Sequence, residues 1–321
     1  MASVFRRGLI GLMTGGWLIS CQPTALSPET DIDLRPIEHA MGTTQIPVSP
    51  KRVVVLDYAP LDAALALNVR PVGRADALIS PIYPEVIHDI PSVGRGSQPN
   101  LETILKLKPD LILGSTVGTD AYYYQRLSSI APTLLTRGNG RFGDWQEYFL
   151  FNAEALGELE QAEKLLTTYH RRVEALKSKL DQVPQNTRVS VMTRWSGGIL
   201  AYTSSSFSGE VLQDLGFERN LFQDTSDDYA LKLSKEELTA IDGDVLFLMY
   251  NPDSKDSIAM EDFVSDPLWS MLNAVRQGVV CEVSNRVWLG GRSILAANQI
   301  LSDVETCLYS GETEKTTTVN K

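Results

Sequence analysis

The stretch EALGELEQAEKLLTTYHRRVEALKSKL, residues 154–180, has no proline and one glycine, Gly157, among strong helix formers, with apolar residues at helical spacing. The proline-free run begins at Trp145, and Pro184 closes it. A single helix from Trp145 to about Lys179 would run on the order of 50 Å, longer than a crossover inside one α/β lobe needs. Its place between two halves that each alternate strands with helices makes it a rigid spine.

Before the spine, RVVVLD (52–57), RPVGRA (70–75), PSVGRGS (91–97), DLILG (110–114) and PTLLT (132–136) are short strands. Helical segments such as PLDAALALNV (60–69) and DAYYYQRLSSI (120–130) lie between them. After it the pattern restarts with RVSVMTRW (188–195), GILAYTS (198–204) and GEVLQDLG (209–216). DVLFLMY (244–250), DPLWSMLNAVRQG (266–278), VVCEV (279–283), RVWLGG (286–291) and a final helix at 293–308 follow. The expected fold is α/β: two Rossmann-like lobes with mainly parallel sheets, joined by one long rigid helix, with a ligand cleft between them.

The first residues, MASVFRRGLIGLMTGGWLISC, put Arg6 and Arg7 before an apolar stretch too short to span a bilayer. The stretch ends in Leu18-Ile19-Ser20-Cys21, which fits a bacterial lipobox with Cys21 as the lipidated residue; the alternative is a plain secretory signal with Cys21 incidental. General and twin-arginine export both stay open. The boundaries that follow are 1–20 for the signal peptide, 21–50 for a lipid-anchored linker and entry segment, and 51–144 for the first lobe. The spine takes 145–183, the second lobe 184–309 and a polar tail 310–321. Cleavage takes the formal charge from −11 to −13 by removing Arg6 and Arg7. So acidic a body does not suit nucleic acid, whose binding relies on Lys and Arg. The expected location is extracytoplasmic, in a periplasm or on the outer face of a cell membrane. Cys281 and Cys307 are equally compatible with a disulfide and with two buried thiols. His39, His88 and His170 are scattered, with no neighbour at metal spacing, so no intrinsic metal or other cofactor is expected.

One plan occurs twice. PNLETILKLKPDLILG (99–114) and LSKEELTAIDGDVLFLMY (233–250) each set a small polar residue, Asn100 or Ser234, two places before a glutamate, Glu102 or Glu236. About two helical turns, an Asp-containing turn and an apolar strand follow in each. Taken with RVVVLD, VGRGSQPNLE, the spine, SGEVLQDLGF and DPLWSMLNAVRQGVV, this order resembles the helical-backbone class of periplasmic binding proteins from about Arg52 to about Leu308. That class captures iron-siderophores, haem or cobalamin for ABC importers. The resemblance implies a monomer whose rim acids, Glu102 and Glu236, pair with arginines on the two subunits of a permease dimer. The plainer reading is that first-turn acids favour the helix dipole, and Ser234 with Glu237 makes a capping box.

An acidic body needs local cations to hold an anion. Arg74, Arg95, Arg194 and Arg292 lie near predicted strand ends, and the guanidinium fork suits carboxylates and phenolates. Tyr58, Trp195, Tyr250 and Trp288 sit in similar loops and could stack on a flat chelator or complete a core. The expected ligand is an Fe(III)-chelate, a ferric siderophore or ferric citrate-type complex. Hydroxamate binders of this class carry an arginine at the place of Gly96 and a tyrosine at that of Gly290, so the hydroxamate branch does not fit. Cobalamin or haem is the alternative within the fold, and a ligand-sensing co-receptor the alternative outside transport. No nucleophile elbow, phosphate-cradling glycine loop or histidine metal motif points to an enzyme.

Overall fold

The computed structural model describes residues 33–309 apart from 77, 79, 84, 139, 181–185, 196, 226 and 251–262. Cys21 and its signal segment, most of the expected leash and the polar tail lie outside the described residues. The end of the supposed linker is structured: Leu34–His39 (β1) and Gly42–Pro47 (β2) form an antiparallel hairpin. Ile37 and Ile46 bury its inner face. The hairpin is fastened to the first lobe where Ala40 N–H donates to Leu135 O (2.9 Å) and Leu135 N–H to His39 Nδ1 (3.3 Å). Burial lowers the His39 pKa, which suits a neutral ring that accepts at Nδ1.

The first sheet has four parallel strands in the order β4-β3-β7-β8: Val53–Val55 (β3), Gly73–Arg74 (β4), Leu111–Ser115 (β7) and Thr133–Thr136 (β8). β3 and β7 are buried throughout, which is why they read as unbroken apolar runs. PSVGRGS joins this sheet through a single parallel bridge, Ser92 to Arg74, with Arg74 N–H donating to Pro91 O (3.0 Å) and Val93 N–H to Arg74 O (2.9 Å). Its Gly94–Arg95 (β5) pairs only with Gln98–Pro99 (β6) in a separate ribbon. The second sheet is mixed: Arg188–Trp195 (β9), Gly198–Tyr202 (β10), Glu218–Arg219 (β11), Ala230–Leu233 (β12), Val245–Tyr250 (β13) and Val280–Ser284 (β14). Its order is β12-β10-β9-β13-β14, with β11 beside β9. The β9–β11, β9–β13 and β13–β14 pairs are parallel, and β10 runs antiparallel to both its neighbours.

Tyr58–Ala66 (α1), Leu101–Leu107 (α2) and Ala121–Ser128 (α3) belong to the first lobe. The spine is two helices, not one: Trp145–Leu156 (α4) and Leu159–Leu180 (α5). Gly157 has φ +78°, closes α4 by donating its N–H to Glu154 O, and lies so close to the hairpin that a Cβ would fall 2.7 Å from Val48 O. Only glycine satisfies both demands. α5 is the long connecting helix, about 33 Å at the usual rise. It buries Ala162, Leu166, Tyr169, Val173, Leu176 and Leu180, alternate steps of four and three that draw one straight stripe.

Phe207–Asp214 (α6), Pro267–Met271 (α7), Asn273–Gln277 (α8), Asn285–Trp288 (α9) and Ile294–Tyr309 (α10) complete the fold. The Glu236 segment is a 3-10 helix, Lys235–Ile241. Alternation along the strands sorts side chains to opposite faces. Val53, Val55, Val189, Val191, Val245, Phe247 and Met249 enter one core shared with α4, α5, α6 and α10. Val54 and Ile112 face a separate cluster under α2, and Leu246 and Leu248 another under α7 and α8. The last helix does not stay with the second sheet, for α10 packs on α1 as well as on α5 and α6. Cys281 and Cys307 form a disulfide that ties edge strand β14 to α10.

Candidate functional site

β3 delivers Asp57 and Tyr58 to the carboxyl edge of the first sheet. Asp57, 8% exposed, caps α1 by accepting Tyr58 N–H (2.7 Å). It also accepts the Ser115 hydroxyl from the end of β7 (2.5 Å) and Nη2 of Arg292 (2.6 Å). Arg292 is 3% exposed and has φ +55°, and its guanidinium lies over the half-buried Tyr58 ring at 5.4 Å. Two expected site residues, Tyr58 and Arg292, therefore meet, but the arginine's charge is already matched inside the protein.

The chain leaving β8 crosses to the second lobe. Gly140, with φ +74°, lies against the Arg292 backbone, where a Cβ would come 3.2 Å from Arg292 O. Gly143 N–H donates to Ser205 O (2.7 Å) and Phe207 N–H to Arg141 O (3.2 Å). The Arg141 guanidinium stands 5.7 Å from the Tyr229 ring, and Phe142, 51% exposed, meets the same ring edge-on at 5.3 Å. Arg137 is exposed and opens on a hollow of about 390 Å³ between the hairpin and α4, which it shares with two acids, Glu38 and Glu147, and with His39, Tyr148 and Phe151. Sequence reading missed Arg137, Arg141, Phe142 and Tyr229. Arg137 directly follows β8 and was open to the same strand-end rule; Tyr229 precedes a strand and was not.

A second group forms at the carboxyl edge of the second sheet. β9 and β13 run parallel with Thr193 opposite Met249, so Arg194 and Tyr250 leave the sheet side by side. The Arg194 guanidinium faces the Phe263 ring at 5.8 Å. Lys232 Nζ stands 5.6 Å over the Trp195 ring, and the indole packs over Gly197 so closely that a Cβ there, 2.5 Å from it, would have to displace the ring.

The remaining expected ligand residues have other work. Arg95 is exposed on β5, outside both sheets. Arg74 is buried, and its donors go to Ile87 O, Ala75 O and Asp76 O at 3.1–3.2 Å, so it fixes the loop after β4. Trp288 is fully buried against Phe247 (4.6 Å), and its indole donates to Asp303 (2.7 Å), which makes it a core residue. The backbone leaves no room for side chains at the two hydroxamate-linked positions. A Cβ on Gly96 would fall 2.4 Å from Leu56 O, and one on Gly290 2.5 Å from Arg286 O. The hollow of about 440 Å³ beside the disulfide has no arginine or lysine among its described lining residues, and offers an anion nothing.

Glu102 and Glu236 each stand in the first turn of a helix that leads into a strand, β7 and β13 respectively. Glu102, 77% exposed, pairs with Lys106 one turn on (2.7 Å), while Asn100 caps α2 through Thr103 N–H (3.0 Å). The Glu236 carboxyl is held below its usual range by its own backbone N–H and the Ser234 hydroxyl. Glu237 accepts Ser234 N–H (2.9 Å) and, with the Ser234 hydroxyl accepting the Glu237 N–H in return, completes the anticipated capping box.

The sequence profile described as periplasmic binding protein matches residues 53–287. The chain is 34% identical to the Probable siderophore-binding lipoprotein YfiY of Bacillus subtilis (strain 168), over 90% of this chain and 93% of that protein. It is 31% identical to the Fe(3+)-citrate-binding protein YfmC of the same organism, over 87% of each. Staphylococcus aureus SirA complexed with staphyloferrin B superposes with a TM-score of 0.74 at 31% identity, over 85% of this chain and 98% of that one. Shared profile, identity and architecture agree with the two-lobed fold just described: the chain belongs to the periplasmic binding protein family.

Proposed function

We propose that this protein is the extracytoplasmic substrate-binding component of an ABC importer, and that its cargo is a ferric siderophore or ferric citrate-type chelate. The observation that carries this reading is the set of guanidinium groups at strand ends and in the crossing segment, Arg137, Arg141 and Arg194. On a chain of formal charge −11 they supply local attraction for an anion, in a geometry that matches carboxylates. Tyr58, Phe142, Trp195, Tyr229 and Tyr250 add flat faces nearby. Iron arrives inside the chelate, as cargo. The relatives named for siderophores and Fe(3+)-citrate support the same ligand class. The barred positions 96 and 290 favour carboxylate chemistry over hydroxamate. Haem gains little from the histidines: His39 is engaged by Thr44 and Leu135, His88 lies in the last turn of a 3-10 helix, and His170 bonds Gln146 on the helix surface.

The same reading makes Glu102 and Glu236 the acids that meet a permease dimer, Cys21 the lipid attachment point, and the working protein a monomer. Native mass spectrometry of protein purified from iron-starved cells tests all but the docking. It should weigh one subunit, a lipid-modified N-terminus and a bound ferric chelate. Recovery of cobalamin or haem instead would overturn the cargo assignment.

A further inference from the structure

Asp57 and Asp62 stand just over one helical turn apart, the first capping α1 and the second inside it. Both reach the same short segment of the second half of the chain. Asp57 takes Arg292, and the fully buried Asp62 accepts Leu295 N–H (2.9 Å) and Ala296 N–H (3.2 Å). Those amides open α10 and have no partner within the helix, so Asp62 caps α10 from the other lobe. Residues 292–296 are thus held by two buried acidic side chains, Asp57 through the Arg292 guanidinium and Asp62 through two amides at a helix N-terminus.

Stability alone would not require the pair to touch the candidate site, yet it does so twice. Arg292 lies over Tyr58, and Gly140 of the crossing segment packs on the Arg292 backbone. Arg292 also holds a left-handed φ of +55°, a conformation that persists where its surroundings over-determine it. We propose that Asp57 and Asp62 are positioning residues: a buried clamp that fixes the Gly290–Arg292 turn, the Tyr58 ring and the 140–143 crossing segment in the shape that receives the ligand. Neither carboxylate touches the ligand, and Arg292 serves the clamp and not ligand charge. The ligand part of this inference rests on the ferric-chelate reading.

The test compares Asp57→Asn, Asp62→Asn, Arg292→Lys and the double variant Asp57→Asn/Arg292→Met, which leaves no buried charge unpaired. Amide hydrogen exchange is read with no ligand, and affinity is read with ferric citrate and with a neutral ferric tris-hydroxamate. The clamp predicts faster exchange at 140–143 and 289–296 while β7 and β9 stay protected. It also predicts that the double variant regains wild-type stability but binds any chelate the wild type binds about tenfold more weakly, whatever the chelate's charge. Unchanged exchange in those two segments, or wild-type affinity in the stable double variant, overturns the proposal. Loss confined to the anionic chelate in Arg292→Lys and the double variant overturns it too, since Arg292 would then contact ligand. Should the single variants fail to fold, the double variant decides. Should the wild type bind no ferric chelate at all, the functional reading falls and exchange alone decides the clamp.

Discussion

Arg292 and Asp57, 235 residues apart in sequence, meet at 2.6 Å with side chains 3% and 10% exposed. Removing one member of such a pair leaves the other charged and buried, whereas removing both does not. Arg292→Ala should therefore lower unfolding stability by about 3–5 kcal/mol in urea titrations, with most of that restored when Asp57→Asn is added. Simple additivity of the two changes would show that the pair is not coupled.

Arg194 should behave differently. It lies half-buried at the open end of β9, beside Tyr250 and facing Phe263. Arg194→Ala should fold normally and weaken anionic ferric chelates by about 1.5–3 kcal/mol, the scale of a hydrogen bond to a charged group. Neutral chelates should change little. Tryptophan fluorescence titration is suited to the measurement because Trp195 adjoins the residue changed. Equal losses for charged and neutral ligands would remove Arg194 from charge recognition.

Much of this architecture could be read from local pattern, and the exceptions share a cause. VVV at 53–55 and VLFLMY at 245–250 announce buried strands by composition, and the stripe from Ala162 to Leu180 announces its helix. Gly157 breaks the spine because Val48 O lies against it, a neighbour that no window around residue 157 contains. Arg74 and Arg137 look alike in sequence, each closing or following a strand. Only folding shows that the first turns inward onto carbonyls and the second outward. Asp57 drew no notice in VVVLDY because its partner is contributed by the far end of the chain. Side-chain direction and distant partners, not secondary structure, separated the expected site from the one found.

Acidity should strengthen the native state. Burial pushes Asp62 up to about 7 from 3.8 and Glu210 up to about 7 from 4.5. The native chain thus keeps protons that the unfolded chain releases, so this contribution is complete below about pH 4 and is lost as pH rises through about 7. Asp214 and Asp303, also raised by burial, act in the same direction. His39, lowered by burial, works the other way below about pH 6.5, so unfolding free energies should fall most clearly between pH 6.5 and pH 8, by on the order of a few kcal/mol in total. Asp62→Asn should flatten part of that slope. A midpoint independent of pH over this range would contradict the assignment.

The disulfide between Cys281 and Cys307 spans 26 positions and fastens an edge strand to the last helix. Its loss should lower stability by about 3 kcal/mol through the entropy returned to the unfolded chain. None of the arginines placed at the strand ends lies beside it, so Cys281→Ser/Cys307→Ser should bind ligand as the wild type does. Thermal unfolding with and without reductant checks the first statement, and ligand titration the second.

Glu102 and Glu236 offer the sharpest test of transport, because the contacts each makes inside the protein are defined. Glu102 is solvated and held only by Lys106, a pair at the exposed i,i+4 spacing that contributes little. Glu236 folds back toward Ser234 and its own amide. Neither contact reaches the ligand group, so Glu102→Ala or Glu236→Ala should leave ligand affinity and folding nearly unchanged. Uptake, or ATPase stimulation in the reconstituted importer, should fall, and the double variant should be worse than either. Lysine at either place should do more harm than alanine, since it would set like charges against the permease. Lys106→Ala provides the opposite case: it frees the Glu102 carboxylate and should hold or raise transport. Glu237→Ala supplies the control, because loss of its bond to Ser234 should weaken the 3-10 helix while sparing transport. Wild-type transport by the Glu102/Glu236 double variant would leave these acids as helix-start residues that favour the dipole and nothing more.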